Sequence, residues 1–230
     1  DWSLAQVELF RGLSASALES ARAHCRLRRF AASQEIFGQQ SDDRDVFFVI
    51  QGRVRVTIFA SSGREVAFRE LEPGAAFGEV SAIDGLERSA SVVALEDCAL
   101  AVMSADQFRA LLRERPELAE RVLRNFARLI RSLTDRVVEF STLAVQNRVQ
   151  AELVRMARAA GVEKNQALLT PVPRHADIAS RVATNREAVA RELNRLAREG
   201  IVERRPKALA VLDFRRLVAV VQGAEDETLG

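Results

Sequence analysis

Phe77-Gly78-Glu79, a short polar excursion, and then Arg88-Ser89-Ala90 at the head of an apolar run supply the side chains needed to hold one anion joined to a sugar. Glycine lets backbone N–H groups approach a ligand closely, and successive amides in a tight turn form an anion-binding nest. Arg88 adds a planar, permanently charged fork matched to phosphate oxygens. Ser89 can donate a further hydrogen bond. Glu79 accepts only when ionised, so it repels phosphate and suits a donor such as a ribose hydroxyl. Taken singly, each of these residues fits an ordinary β-turn, with Glu79 solvated and Arg88 paired to Glu87 or Asp84; their joint register favours the ligand reading.

A second group lies near the other end. Asn185, Arg186, Glu187 and Arg191 fall in the first two turns of a helix, where base edges in a major groove are read. Arginine can bond guanine O6 and N7 together, and glutamate can accept from cytosine N4. Arg195 and Arg198 lie further along and suit phosphates or structural pairing, as do Arg174, Arg181, Arg204 and Lys207. Two local readings compete for Glu187: capping-box spacing to Thr184, and an i,i+4 surface pair with Arg191.

The elements that must position these groups are readable from periodicity. Residues 3–24 read as short helices, with Ser14 capping 15–24. From about 26 to 103 the pattern changes to short β-rich runs: Val46–Ile50, Val54–Phe59, Glu65–Leu71, Ser91–Leu95 and Ala99–Met103. Gly38, Gly52, Gly63 and Gly74 separate them, which indicates an antiparallel β-roll or barrel. A helical turn is expected between Gly78 and Ala90. Ser104 caps a helix over 105–113, and Pro116 opens one reaching about 140. Leu118, Val122, Phe126, Leu129, Leu133, Val137, Phe140 and Ala144 repeat along it at steps of three or four, opposite Arg121, Arg124, Arg128 and Arg131. That stripe suits a dimer seam, with packing against its own domain as the alternative. A helix over about 146–160 ends at Gly161, and Val162–Thr170 reads as a loop. Helices over about 174–182 and 185–199, then strands at Ile201–Glu203 and Ala208–Leu212 around Pro206-Lys207, give a winged helix-turn-helix layout. The fold class expected is α+β, in three parts: 1–115 as the β-roll domain, 116–144 as a dimerisation helix, and 145–230 as the winged helix-turn-helix.

Charge follows the same division. Residues 1–144 carry 19 basic and 21 acidic side chains, whereas 145–216 carry 15 and 8, and the last 14 residues carry three acids. A near-neutral front joined to a basic back fits a regulatory module attached to one that meets nucleic acid. Cys25 and Cys98 lack CxxC spacing, which favours packed, reduced thiols and speaks against an iron–sulfur centre. His24 and His175 lack metal-ligand spacing, so neither a metal site nor a triad enzyme is expected. No stretch approaches the ~20 apolar residues of a membrane span, and no leader precedes the first helices, so a cytoplasmic protein is expected. The chain opens on Asp1 rather than Met, which suggests that the native start is missing.

Phe-Gly-Glu followed by Arg-Ser-Ala resembles the phosphate-binding cassette of the cyclic-nucleotide-binding domain. Asn185-Arg186-Glu187-Ala188-Val189-Ala190-Arg191 resembles the Arg-Glu-x-x-x-Arg recognition helix of the cyclic-AMP receptor protein (CRP/FNR) superfamily, and the similarity extends from Leu9-Phe10-x-Gly12-Leu13-Ser14 to the wing. The resemblance implies a homodimeric, DNA-binding transcription regulator that meets RNA polymerase and reads a palindrome with TGTGA-like half-sites. It implies ligand contacts at Gly78, Glu79, Val80, Arg88, Ser89 and Ala90, and Arg88→Ala is expected to abolish the ligand response while leaving the fold intact. Counting back from the helix junction places Leu133 and Thr134 where relatives present polar side chains to the purine. Only Thr134 is polar, so cAMP is favoured over cGMP mainly by Ser89, and cGMP stays possible. A constitutive regulator whose cassette takes another ligand or none is the alternative. In the turn before the recognition helix, Ala183 stands where many relatives carry glycine; a positive φ there costs on the order of 1 kcal/mol.

Overall fold

Ser14 and Ser104 open helices by accepting from the third amide ahead, Ala17 N at 3.3 Å and Gln107 N at 3.4 Å. The computed structural model describes residues 2–59 and 65–229, with backbone alone for 65–68 and 222–229. The separator Gly63 therefore lies outside the described residues, as does Asp1, and the side chains of the acidic tail are not described. Two compact units divide the chain, 1–129 and 130–230, and each is taken by itself.

In the first unit, a 3-10 turn at Glu8–Phe10 and α1 (Ala15–Ala23) precede β1 (Cys25–Phe30), β2 (Glu35–Phe37), β3 (Val46–Gln51), β4 (Val54–Phe59), β5 (Glu65–Leu71) and β6 (Ala76–Phe77). After α2 (Glu79–Asp84) come β7 (Ser91–Ala94), β8 (Cys98–Met103), α3 (Ala105–Glu114) and α4 (Pro116–Thr142), which runs on into the second unit. The strands form two antiparallel four-stranded sheets, ordered β1-β8-β3-β6 and β2-β7-β4-β5. Period two explains why β3 and β8 read as unbroken apolar runs. Phe47, Val49, Leu100 and Val102 enter the core shared by the two sheets, whereas Val46, Phe48, Ala101 and Met103 face a layer built with Leu4, Phe10, Phe108, Leu118 and Val122. Fully burying a side chain such as Phe47 or Phe48 stabilises by about 1.5–3 kcal/mol.

The second unit holds α5 (Val145–Ala160), β9 (Ala167–Leu169), α6 (His175–Arg181), α7 (Arg186–Arg198), β10 (Val202–Arg205), β11 (Ala208–Val211) and α8 (Phe214–Leu229). Val162–Thr170, expected to be a loop, contributes β9, which pairs with β11 as the third strand of the wing sheet. Its three residues alternate buried, exposed, buried, a pattern too short to register against its polar flanks.

The apolar stripe on α4 is divided rather than uniform. Leu118 and Val122 are buried in the core of the first unit, with Phe126 half-buried beside them. Leu123, Ile130 and Val137 are 66%, 63% and 63% exposed, and with Phe126, Leu133 and Phe140 they repeat at alternating steps of three and four.

Candidate functional site

Gly78 adopts φ +86° and caps α2, a left-handed conformation that favours glycine. A Cβ there would stand 2.7 Å from Asp45 O and 2.8 Å from Arg88 Nη1, so the position admits no side chain without movement. Ten residues on, Arg88 is only 2% exposed. Its Nη1 donates to Gly78 O at 2.9 Å, and its Nη2 donates to Asp45 O at 2.6 Å and to Asp43 Oδ2 at 3.1 Å. The guanidinium lies 4.0 Å from the centre of the Phe37 ring, against an aromatic cluster in which Phe47 and Phe77 stack at 5.1 Å. The Arg88 backbone closes the clasp: its N–H donates to Ser41 O, and its carbonyl accepts from Gln40 N.

Arg88 is thus tied to the 38–45 loop, and not to Glu87 or Asp84. Burial pushes its pKa down, opposed by the Asp43 carboxylate. The expectation that Arg88→Ala leaves the fold intact is therefore revised, because that change would remove a buried guanidinium together with its bonds to Gly78 O, Asp45 O and Asp43. Arg88 Nε and Ser41 Oγ are buried without a hydrogen-bond partner among the described residues. Glu79 is half-buried at the start of α2, and burial pushes its carboxyl pKa up, with Arg69 and Arg88 partly offsetting. Val80 and Ser89 are exposed, and Ala90 packs half-buried against the core between the sheets. Of the six expected ligand contacts, the structure joins Gly78 to Arg88 directly, with Glu79 and Val80 following Gly78 in α2 and Ser89 and Ala90 following Arg88. Leu133 and Thr134 stand on α4 within the second unit; Leu133 is half-buried, and Thr134 is exposed with its hydroxyl donating to Ile130 O at 3.0 Å.

In the second unit α6 and α7 are joined by a turn in which Ala183 takes φ +51°, the strained case anticipated for a residue in place of glycine. Asn185 is the N-cap of α7, its Oδ1 accepting from Ala188 N at 2.8 Å, so the capping box suggested for Thr184 and Glu187 does not form. Glu187 pairs instead with its neighbour Arg186 at 2.9 Å, and this hydrogen bond holds its carboxyl below the usual range. Arg186 is 77% exposed, and Arg191 is exposed with no hydrogen-bond or ion-pair partner among the described residues. Arg174 is exposed and forked on Asp177. Arg181 is different: its Nη1 donates to Glu152 Oε1 at 3.2 Å, and Glu152, 2% exposed, also accepts from Arg155, which reaches Glu139 of α4 at 2.5 Å.

Sequence reasoning missed Asp43 and Asp45, which hold Arg88 from far along the chain. It also missed a depression of about 360 Å³ between the N-terminus of α5 and α7, lined by Val145, Gln146, Arg191, Arg195 and Arg198 among others. Neither leaves a periodic or motif signal, because each joins segments more than 40 residues apart. Cys25 and Cys98 are free thiols, the first pushed up to about 12 by burial and the second also raised by burial. Among the described residues no group of His, Cys, Asp and Glu is placed to hold a metal, and no helix is long and apolar enough to cross a membrane.

A β-roll with a buried arginine clasped to a capping glycine, joined in one chain to a winged helix-turn-helix, defines an effector-regulated class of DNA-binding protein. Family models agree: residues 27–115 match a cyclic nucleotide-binding domain and 147–220 a Crp-like helix-turn-helix domain. The chain belongs to the CRP/FNR superfamily of transcription regulators. It is 31% identical over 217 residues to the cyclic AMP receptor protein of Thermus thermophilus, covering 94% of this chain and 97% of that protein. A CRP-like cAMP-activated global transcriptional regulator of Mycobacterium tuberculosis is 27% identical, with 94% and 97% covered. The crystal structure of Thermus thermophilus catabolite activator protein superimposes with a TM-score of 0.55 at 31% identity, covering 94% of this chain and 99% of that one. A CooA mutant from Carboxydothermus hydrogenoformans gives a TM-score of 0.77 at 22% identity, covering 88% and 90%, a likeness of fold alone.

Proposed function

We propose that the protein is a cyclic-nucleotide-responsive homodimeric transcription regulator, with cAMP favoured over cGMP and palindromic DNA with TGTGA-like half-sites as its target. The observation that carries this reading is the clasped pair Gly78–Arg88 beside the half-buried Glu79, with polar atoms still unpartnered at Arg88 and Ser41. The turn amides, Arg88 and Ser89 would hold the cyclic phosphate, Glu79 would accept from the ribose hydroxyl, and Thr134 would meet the purine. Domains would run 1–115, 116–144 and 145–230, with dimerisation along α4. There the exposed series Leu123, Ile130 and Val137 has the spacing of a coiled-coil seam. Arg186, Glu187 and Arg191 would read base edges, Asn185 and Arg174 would add polar contacts, and Arg181 would support α6 through Glu152. RNA polymerase is the proposed protein partner and the cytoplasm the proposed location. The ligand can activate only by binding one arrangement of the dimer more tightly than the other.

A second reading, a regulator that binds DNA without effector, is favoured by one observation. Arg88 already has three protein acceptors, so the chain's own contacts would hold the cassette in place. Fluorescence anisotropy of a labelled TGTGA palindrome at fixed salt, titrated with protein alone, with cAMP and with cGMP, decides between them. Tightening with cAMP alone is expected. Equal binding in all three titrations would hand the function to the second reading.

A further inference from the structure

The first unit carries a second basic concavity that the cassette does not use. It lies between the 3-10 turn Glu8–Phe10 and α4, holds about 240 Å³, and is lined by Glu8, Leu9, Arg11, Arg121, Arg124, Asn125 and Arg128. Arg121 is fixed in place, its Nη1 donating to Leu9 O at 2.8 Å. Arg128 reaches only a neutral acceptor, Asn125 Oδ1 at 2.5 Å, and Arg124 pairs with Glu120 at 2.6 Å. Arg11 is exposed, its backbone N–H donating to Glu8 O, and its guanidinium has no hydrogen-bond or ion-pair partner among the described residues. Four guanidinium groups thus surround one hollow, against the two carboxylates Glu8 and Glu120.

At about 100° per residue, Arg121, Arg124 and Arg128 cluster on the side of α4 roughly opposite that of Leu123 and Phe126. Pairing of α4 along its apolar side therefore leaves the arginine side open. A hollow smaller than the roughly 300–1,000 Å³ of pockets for drug-sized ligands, walled by planar forks, matches a compact multivalent oxyanion.

We infer that this cleft is a second anion site, distinct from the cassette, that takes phosphate oxygens. Its two sources are a free phosphorylated small molecule and the backbone of bound DNA. Isothermal titration of the full chain with inorganic pyrophosphate at fixed ionic strength should show saturable binding at one site per chain. Arg11→Gln/Arg128→Gln should weaken it by about tenfold or more, the scale of a lost charge-assisted hydrogen bond, with cAMP affinity unchanged. Glu8→Gln should strengthen it. Arg121 is left intact because it anchors Leu9.

If pyrophosphate does not bind but the double variant lowers the salt slope of DNA binding by about two, the phosphate source is DNA. Absence of both effects would overturn the site. So would an equal loss in Arg28→Gln/Arg29→Gln, a charge-matched pair exposed on β1. Undiminished pyrophosphate binding in the Arg11/Arg128 variant would place the anion in the cassette instead, which also overturns the inference.

Discussion

The two candidate sites handle their arginines in opposite ways. In the first unit Arg88 is 2% exposed and bonded to three protein oxygens, whereas on α7 the Arg186 side chain is 77% exposed and pairs with Glu187, its neighbour in the chain. Arg88 is part of the core, so its geometry is set by the same contacts that fold the roll. A surface that reads base edges must leave its side chains to be ordered by the partner. The difference predicts that mutations in the cassette mix stability with binding and that those on α7 separate them.

Arg88→Ala should give the largest effect. Removing a buried guanidinium with its hydrogen bonds to Gly78 O, Asp45 O and Asp43 should destabilise the first unit by about 1.5–3 kcal/mol, read by urea denaturation, together with loss of nucleotide binding. A variant of unchanged stability would break the comparison at its stronger end. Arg186→Ala should cost roughly 1–3 kcal/mol of discrimination between cognate and scrambled duplexes, with stability within about 0.5 kcal/mol of the parent. A large fall in melting temperature there would show that α7 too is a structural site.

Glu79 tests whether binding and stability oppose each other inside the cassette. Its folded pKa lies above the ordinary 4.5, so its contribution to stability is fully present below 4.5 and is lost as pH rises through the folded pKa. Glu79→Gln should therefore raise the melting temperature of the unliganded protein at pH 7, read by thermal denaturation. The gain should fade as pH falls toward 4.5, while nucleotide affinity drops. A variant that melts lower at pH 7 would contradict the burial argument. The smallest effect belongs to the turn before α7: Ala183→Gly relieves a left-handed alanine and should stabilise the second unit by about 0.5–1 kcal/mol. Unchanged or reduced stability would mean that the turn is not under strain.

Much of this architecture was legible because it is periodic or locally capped. The helices opened by Ser14, Ser104 and Pro116 appear within a residue or two of their expected bounds, as do the apolar strands β3, β4 and β8. What stayed hidden depends on distant partners. β9 exists because β11 offers it a ladder, and nothing in Val162–Thr170 announces that. The α4 stripe looked like one surface, since spacing cannot tell Leu118, which faces a domain core, from Ile130, which faces none. For Arg181 the spacing left phosphate contact and structural pairing both open, and the carboxylate that pairs with it, Glu152, sits 29 residues upstream. Thr184 and Asn185 are both competent caps, and only the backbone at the turn decides between them.

The clasp around Arg88 has a consequence for how such sequences drift. Because Arg88 holds the 38–45 loop and lies against Phe37, selection for a folded roll would keep arginine there even in a lineage that had abandoned its effector. Exposed Ser89 has no such second employment. The loss of a ligand in a descendant of this chain should be written first at Ser89, while Arg88 persists as a record of the fold.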